Sequence, residues 1–516
     1  MASPPDSDKP TVQVGSVPLV YIGILLAATL QVLDTTIANV AVPHMQSSLN
    51  ATRESVLWVL TSYIVASAIA LPSAGWLSSR FGSRRLLITS TVLFILSSML
   101  CGMAANLEQM VLFRFIQGFA GAYLMPLSQT IMLDVTRPSR HGQAMALFGA
   151  GVIMGPIMGP VFGGWLTENM NWRWVFYVNL PFGAIALLLM ITQLPPWPTR
   201  KQRFDITGYA LVALCVGSLQ LLMDRGEHID WFDAAEAWVY ALLFCCTAWI
   251  GVIHLATSRN PIFNRALWHD MNFTISLAIM AVTGLTAYAT LALMPPMLQQ
   301  LFGYSVLTTG LVIAPRGIGV MLCALVAGRL VRKGFDLRIM VALGFTTIAI
   351  SMFDMASWSL TIERHHIVTA GIIQGVGLGL LFIPLNTLAF STLPAPLRAD
   401  GSSLVNLFRS IGASVGISVS SVLLARSIQT NHAELAPYIS TETIGITDPE
   451  RAGMYGKFGE SILAMADAEI NRQAAMIGYI NDFWFMGWLC LAAVPLVLLI
   501  RRPDQRMAPD TAEAIH

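Results

Sequence analysis

The chain has 516 residues, of which 55% are hydrophobic and only 11% are charged. Soluble domains carry about 25% charged residues, so the composition indicates a protein that crosses the membrane many times. A formal net charge of +1 argues against a nucleic-acid-binding protein, which needs a basic surface. The six cysteines show no metal-ligand spacing, so we expect neither a disulfide framework nor a metal site.

The apolar segments predict an all-α polytopic membrane protein with fourteen transmembrane helices, each needing about 20 residues. The predicted spans are 17–43, 55–77, 86–105, 108–133, 143–167, 173–194, 205–223, 236–257, 271–299, 306–330, 338–358, 365–391, 399–428 and 477–501. Arginine and lysine are concentrated in alternate loops, which predicts that both termini lie in the cytoplasm. Because no small-residue cleavage site follows the first span, we expect that span to be retained rather than removed as a signal peptide.

An internal repeat predicts two six-helix halves. A glycine that precedes a basic loop, Gly75 after span two, recurs as Gly328 after span ten. Gln117 in span four likewise has a counterpart in Gln374 in span twelve. Spans seven and eight then form an inserted pair. The predicted domains are an N-terminal tail at 1–16, a first bundle at 17–200, the inserted pair at 201–265, and a second bundle at 266–516 with a periplasmic loop at 429–476.

Asp34 lies inside the apolar first span. A charged carboxylate at the bilayer centre costs about 2.5–3.5 kcal/mol on insertion scales, and burial favours the neutral, protonated form. An acid that gains and loses a proton there can couple transport to a proton gradient. The alternative is a polar contact between helices. Gln31, Thr35 and Asn39 of the same span are candidates for substrate contact or gating.

Arg114 and Gln117 lie one turn apart on one face of span four. A guanidinium at this depth needs a partner, and a fixed cation beside a carboxyl favours its charged form. We therefore predict that Arg114 acts with Asp34 in proton coupling, with a purely structural salt bridge as the alternative. Gln117 is a further candidate for substrate contact or gating.

Two glycine-rich motifs predict close packing and conformational change. In span five, glycine recurs at every fourth position, which builds a flat surface on which another helix packs closely, and two prolines favour a bend. Simple close packing without movement is the alternative. The loop after span two combines glycines for a tight turn with arginines that anchor it at the cytoplasmic face. These motif residues are Gly151, Gly155, Pro156, Gly159, Pro160, Gly163 and Gly164 in span five, and Gly75, Gly82, Arg84 and Arg85 in the loop.

The second half carries its own candidates for substrate contact. Arg316 and Arg409 lie near the middle of spans ten and thirteen, and Asn406 shares a helical face with Arg409. These cations would either hold an anionic group of a substrate or pair with helix C-termini, and the sequence leaves both open. Gln374 is included as the repeat counterpart of Gln117.

Together these residues resemble the fourteen-span drug:proton antiporters of the major facilitator superfamily, EmrB/QacA type. The resemblance covers nearly the whole chain and is carried by four motifs, at 33–43, 75–85, 114–118 and 151–164. It departs at Ser79, where the loop motif usually has aspartate, and Asp134 is the expected substitute at the neighbouring cytoplasmic end. Residues 219–232 and the outer segment 429–476 resemble the subgroup that works with a periplasmic adaptor.

The resemblance implies proton-driven multidrug efflux across a bacterial inner membrane. Hydrophobic compounds would pass to a periplasmic adaptor, or membrane fusion protein, and an outer-membrane channel. We expect the outer segment, with an amphipathic stretch at 461–475, to dock that adaptor. No Walker A sequence occurs, so the expected energy source is the proton gradient, without a cofactor.

Other functions remain open from the sequence. The protein would alternatively export one physiological metabolite, such as a siderophore or an organic acid. A membrane enzyme or a non-transporting sensor is less favoured, because the chain has no recognisable catalytic constellation. We therefore expect a transporter rather than an enzyme.

Overall fold

The computed structural model describes residues 9–199, 203–394, 397–436 and 457–500, and the regular structure within them is helical. Thirteen helices in these residues are long and apolar enough to cross a membrane. A fourteenth, His141–Asn169, coincides with the predicted span 143–167. In chain order the helices are α1 (Val17–Ser48), α2 (Trp58–Phe81), α3 (Ser83–Met103), α4 (Leu107–Asp134), α5 (His141–Asn169), α6 (Trp174–Gln193), α7 (Ile206–Arg225), α8 (Ala235–Thr257), α9 (Met271–Gln300), α10 (Thr308–Val331), α11 (Leu337–Met355), α12 (Arg364–Ser391), α13 (Arg398–Leu435) and α14 (Lys457–Leu498).

Local sequence signals set several of the helix ends. Asn106 precedes α4, and its side chain accepts a hydrogen bond from the Gln109 backbone N–H at 2.9 Å. Such caps satisfy backbone donors that have no partner inside the helix. At its C-terminal end, helix α2 stops before Gly82, whose φ of 85° is rarely adopted by residues that have a side chain. Arg84 then donates to the Ile191 carbonyl oxygen at 2.9 Å and ties this loop to α6.

The two halves pack in the same way, which confirms the predicted repeat. In the first half α1 packs on α5, α2 on α4, and α3 on α6. In the second half the corresponding pairs are α9 with α13, α10 with α12, and α11 with α14. The halves meet along α5 and α10. Of the inserted pair, α7 packs against both α2 and α13 and carries α8 on its outer side.

The last two helices are longer than predicted. Helix α13 continues to Leu435 rather than 428, and α14 begins at Lys457 rather than 477. The interpretation of 429–476 as one loop is therefore wrong at both ends, while residues 437–456 lie outside the described part. Hydropathy marks where a helix leaves the membrane, and a helix continues beyond that point when polar helix-forming residues follow.

These extensions form a projecting hairpin. At about 1.5 Å per residue, the 38 residues of α13 and the 42 of α14 span about 57 and 63 Å, against a hydrocarbon core of about 30 Å. The two helices stay paired at the ends of the predicted spans, where Asn481 donates to Ser427 Oγ at 2.9 Å, and beyond them, where His432 lies 3.1 Å from Asp467. We call residues 426–436 and 457–481 the outer hairpin.

The two halves are held together at the predicted cytoplasmic side. Arg398, at the start of α13, donates to Asp134, at the end of α4, at 3.1 Å. Nearby, Gln129 donates to Asn386 at 2.7 Å, and Ser402 donates to Gln129 at 3.0 Å. Asp134 thus takes part in a charge contact between the two halves. The conformation described is closed on this side.

Gly75 shows how tightly that side is packed. The carboxylate of Asp400, in the first turn of α13, occupies the place where a Cβ on Gly75 would lie. A side chain at position 75 would therefore push the two halves apart. The glycine of the loop motif is required by this close approach, in addition to any role in turning the chain.

Candidate functional site: a buried carboxylate cluster and a central cavity

Asp34 lies at the centre of a buried cluster in the first half, with a side chain that is 0% exposed. Its Oδ2 accepts a hydrogen bond from Arg114 Nη1 at 2.6 Å. Its Oδ1 accepts from Gln117 Nε2 at 2.9 Å and from Asn179 Nδ2 at 2.7 Å. The structure thus brings the predicted pair together and joins α1, α4 and α6 through one carboxyl group. Three donors hold the carboxylate in one orientation, and the hydrogen bond from the guanidinium is charge-assisted.

Arg114 is also 0% exposed, and almost every face of its guanidinium is in contact with protein. Its Nε donates to the Val59 carbonyl oxygen at 3.1 Å, and Nη1 also reaches Gln117 Oε1 at 2.8 Å. The guanidinium carbon lies 4.4 Å from the centre of the Tyr63 ring and 5.5 Å from that of Phe176. Aromatic faces stabilise a desolvated cation. Only Nη2 has no hydrogen-bond partner within the described residues.

The sequence reasoning missed Asn179 and the groups behind it. Asn179 Nδ2 also donates to Ser98 Oγ in α3 at 2.9 Å, and Ser98 donates to the Phe176 carbonyl oxygen at 2.9 Å. A buried amide between two acceptors fixes the position of the carboxylate. The available signal was that Asn179 is the only amide in the apolar run from 174 to 192.

The glycine stripe of α5 packs directly on α1. A Cβ on Gly155 would lie 3.0 Å from Val32, one on Gly163 would lie 3.0 Å from Ile37, and one on Gly159 would overlap Thr36. Gly151 faces Leu25 in the same way, and Gly164 is buried beside Gly163. Thr36 Oγ1 also donates to the Gly155 carbonyl oxygen at 3.3 Å. Helix α5 is continuous from His141 to Asn169, and the side chains of Pro156 and Pro160 lie outside the described part.

A cavity of about 120 Å³ lies between the two halves. Its walls are mostly apolar, with Val32 and Val152 from the first half and Tyr288, Leu291 and Phe382 among those from the second. Arg316 and Arg409 also line it. The structure therefore places both predicted cations of the second half at one central space, on the interface between the halves.

Neither arginine is neutralised by an acid within the described residues. Arg316 Nη2 donates to the Ala287 carbonyl oxygen at 3.3 Å. Arg409 Nη2 donates to Asn406 Oδ1 at 2.7 Å and contacts Met125 Sδ. Both contacts are with neutral groups. Two positive charges beside an apolar cavity make the site favourable for an anion.

The remaining predicted residues make other hydrogen bonds or are exposed. Thr35 donates to the Gln31 carbonyl oxygen at 2.7 Å within α1, and Asn39 is exposed. Asn406 positions Arg409 and donates to Gln129 across the two halves at 3.3 Å. Gln374 belongs to the second half, where its Nε2 donates to Thr290 at 3.3 Å.

Comparison with known proteins supplies the family. The sequence profile of the Major Facilitator Superfamily matches residues 24–417. The chain belongs to this superfamily. Its fold agrees with that of the proton:xylose symporter XylE, with a TM-score of 0.61 at 13% identity over 94% of this chain and 96% of the other. The chain is therefore a multi-pass membrane transporter.

Two bacterial relatives match over almost their full length. "Multidrug export protein EmrB" of Haemophilus influenzae is 34% identical over 491 residues, which is 94% of this chain and 96% of that protein. "Fatty acid resistance protein FarB" of Neisseria gonorrhoeae is 32% identical over 503 residues, or 96% and 98% of the two chains. The first name describes multidrug export and the second describes resistance to fatty acids.

Proposed function

We propose that this transporter is a drug:proton antiporter that expels hydrophobic compounds across the inner membrane. The observation that carries the proposal is the single carboxyl of Asp34, fully buried and held by Arg114, Gln117 and Asn179. The names of the relatives support multidrug export as the transport task. A proton is the ligand that such a carboxylate binds without needing a larger cavity.

The position of Asp34 on α1 suggests how proton and substrate are coupled. Val32 lines the central cavity, and Asp34 follows it by two residues. At 3.6 residues per turn, two positions correspond to about 200° around the helix. One face of α1 therefore carries the proton site while the opposite face borders the cavity. A rotation or shift of α1 changes both sites together.

Protonation of Asp34 supplies the driving free energy for that shift. A neutral carboxyl leaves Arg114 buried without a counter-charge, and breaking a buried ion pair costs about 3–5 kcal/mol. Moving a two-state equilibrium from 1:99 to 99:1 requires about 5.5 kcal/mol. One protonation is therefore of the right size to change which side of the transporter is open. Protons enter from the periplasm, and substrate leaves in the opposite direction.

The central cavity is the proposed substrate site. Its apolar walls suit hydrophobic compounds of varied shape. Arg316 and Arg409 favour amphipathic compounds that also carry a negative charge. This observation supports a second candidate function, dedicated export of an organic acid such as a long-chain carboxylate, in line with the name of the gonococcal relative.

We further propose that the outer hairpin docks a periplasmic adaptor that leads to an outer-membrane channel. Its length beyond the apolar region and its exposed Met465, 73% accessible, support this role. Met465→Arg should then lower resistance in whole cells while leaving flux in proteoliposomes unchanged. Equal loss in both assays, or in neither, would contradict docking at this residue.

Flux in proteoliposomes tests the transport proposal. The purified protein is reconstituted with an imposed pH gradient, and uptake is followed for neutral, cationic and anionic hydrophobic compounds. We expect accumulation that a protonophore abolishes. Accumulation of amphipathic anions alone would favour the dedicated exporter. Uptake that is indifferent to the gradient would refute proton coupling.

A further inference from the structure

Another buried acid, Asp482, lies in α14, in the opposite half of the transporter from Asp34. Its side chain is 0% exposed, and neither Oδ1 nor Oδ2 has a hydrogen-bond partner within the described residues. The transport cycle described above makes no use of it. A carboxyl in such a place requires its own explanation, since buried polar groups are nearly always paired.

The internal repeat places Asp482 one helical turn from the counterpart of the Asp34 cluster. In the first half, α1 supplies Asp34, α4 supplies Gln117 and α6 supplies Asn179. In the second half the corresponding helices are α9, α12 and α14. Gln374 of α12 donates to Thr290 of α9 at 3.3 Å, and Thr290 contacts Met486 Sδ of α14 at 3.8 Å. Asp482 precedes Met486 by one turn on α14, so the acid of this half is on the sixth helix instead of the first.

The second cluster differs from the first in having no arginine. Arg114 corresponds in the repeat to Gly371, which carries no charge. An ionised carboxylate buried without a cation or a donor is far less stable than its neutral form, because burial removes the hydration of the charge. The proton therefore stays on Asp482 in this conformation, whereas the carboxylate of Asp34 is held by three donors.

The groups that surround Asp482 do not change this conclusion. On its own helix the nearest titratable group is the hydroxyl of Tyr479, three residues earlier. Helices α9, α11 and α13 pack against α14. Their titratable or charged side chains all contact other groups, line the central cavity or are exposed: Tyr288, Arg338, Asp354, Arg398, Asp400, Arg409, Arg426, His432 and Glu434.

We propose that Asp482 is a second proton-binding site, which carries an exchangeable proton in the second half of the transporter. This inference adds a second proton site to the proposed proton-coupled export, and it rests on that proposed function. Movement of α14 against α9 and α13 during the transport cycle would hydrate the carboxyl and release the proton. The cycle then moves two protons, one bound at Asp34 and one at Asp482.

Infrared spectroscopy of the full-length protein in lipid tests the site independently of transport. A protonated carboxyl gives a carbonyl stretching band that shifts in D₂O and disappears on ionisation. We expect one such band to be absent in Asp482→Asn, present in the control Asp354→Asn, and reversibly lost as the pH is raised in the wild type. Asp482→Glu should restore a band that titrates.

Two outcomes would overturn the proposal. The first is a spectrum that is the same in Asp482→Asn and the wild type. The second is an Asp482 band that persists over the whole pH range in which the protein stays folded. The proton-to-substrate ratio, measured in parallel, should fall by one in Asp482→Asn. An unchanged ratio would show that the proton at Asp482 is not exchanged during transport. If proton coupling itself is absent, wild-type flux will not depend on the pH gradient. This result separates a failure of the proposed function from a failure of the Asp482 site.

Discussion

The two charged regions on either side of α1 are built in opposite ways. Around Asp34, one negative charge is met by a cation and two amide donors, and the cluster is closed on all sides by α2, α3, α4 and α6. Around the central cavity, Arg316 and Arg409 are two positive charges that contact only neutral groups. The first region is complete without a ligand, whereas the second favours an added anion.

This difference indicates a division of labour. A satisfied carboxylate is changed only by a ligand small enough to enter a packed cluster, and the proton is that ligand. A cavity with uncompensated cations and apolar walls accepts larger molecules of varied shape. Because the two regions share α1 but no side chain, the coupling we propose passes through helix movement and does not require proton and substrate to compete for one group.

The largest expected effect is that of Asp34→Asn. The amide keeps the shape of the side chain but cannot take up and release a proton, so accumulation driven by a pH gradient should fall to background. Exchange of substrate between equal concentrations should remain, since it needs no net proton transfer. Asp354→Asn, which alters an exposed acid of α11, is the matched control. Full accumulation by the Asp34 variant would break the assignment of the proton site.

Next in size is Gly159→Ala, which acts on the connection between the two regions. A methyl group at this position overlaps Thr36 of α1, so the helix pair must separate. We expect transport to drop by about tenfold or more, equivalent to at least about 1.4 kcal/mol, with an intact protein on size-exclusion chromatography. Gly251→Ala in α8 is the control, because its nearest neighbour, Leu211, would lie 3.8 Å away. Equal activity of both variants would argue against a tight contact between α1 and α5.

The role of the two cations in the cavity is tested by two substitutions, Arg316→Gln and Arg409→Gln. Removal of either cation should weaken binding of amphipathic anions by about tenfold, since a charge-assisted hydrogen bond contributes about 1.5–3 kcal/mol. Neutral hydrophobic compounds should bind almost as before. Competition assays with matched neutral and anionic compounds measure the difference. A uniform loss for both classes would show that the arginines support the fold and do not select the charge of the substrate.

The smallest effect is expected at the closed side. Arg398→Gln removes the cation of the largely buried ion pair with Asp134, but the carboxylate keeps its hydrogen bond from Trp197, and the hydrogen bonds of Gln129 still join the two halves. The equilibrium should shift slightly toward the state open at the predicted cytoplasmic side. Distances between spin labels at the inner ends of α4 and α13 report that shift. An unchanged distance distribution would mean that the hydrogen bonds of Gln129 hold this side closed alone.

The sequence was sufficient for the features that stand out against an apolar background. Asp34, Arg114 and the glycine stripe of α5 were identified because charged residues or regular glycines are rare within membrane spans. The partners were harder to predict, since Asn179 reaches Asp34 across 145 positions and only helix packing brings them together. The length of α14 was missed because hydropathy detects burial in lipid and not the end of a helix.

Proton movement driven by substrate tests the central claim most directly. Proteoliposomes with a weakly buffered interior and a trapped pH indicator receive an outward gradient of a transported compound and no initial pH gradient. We predict that efflux of the compound moves protons inward and acidifies the interior in the wild type, and that Asp34→Asn abolishes this acidification. Efflux at the wild-type rate with no change in internal pH would contradict the account.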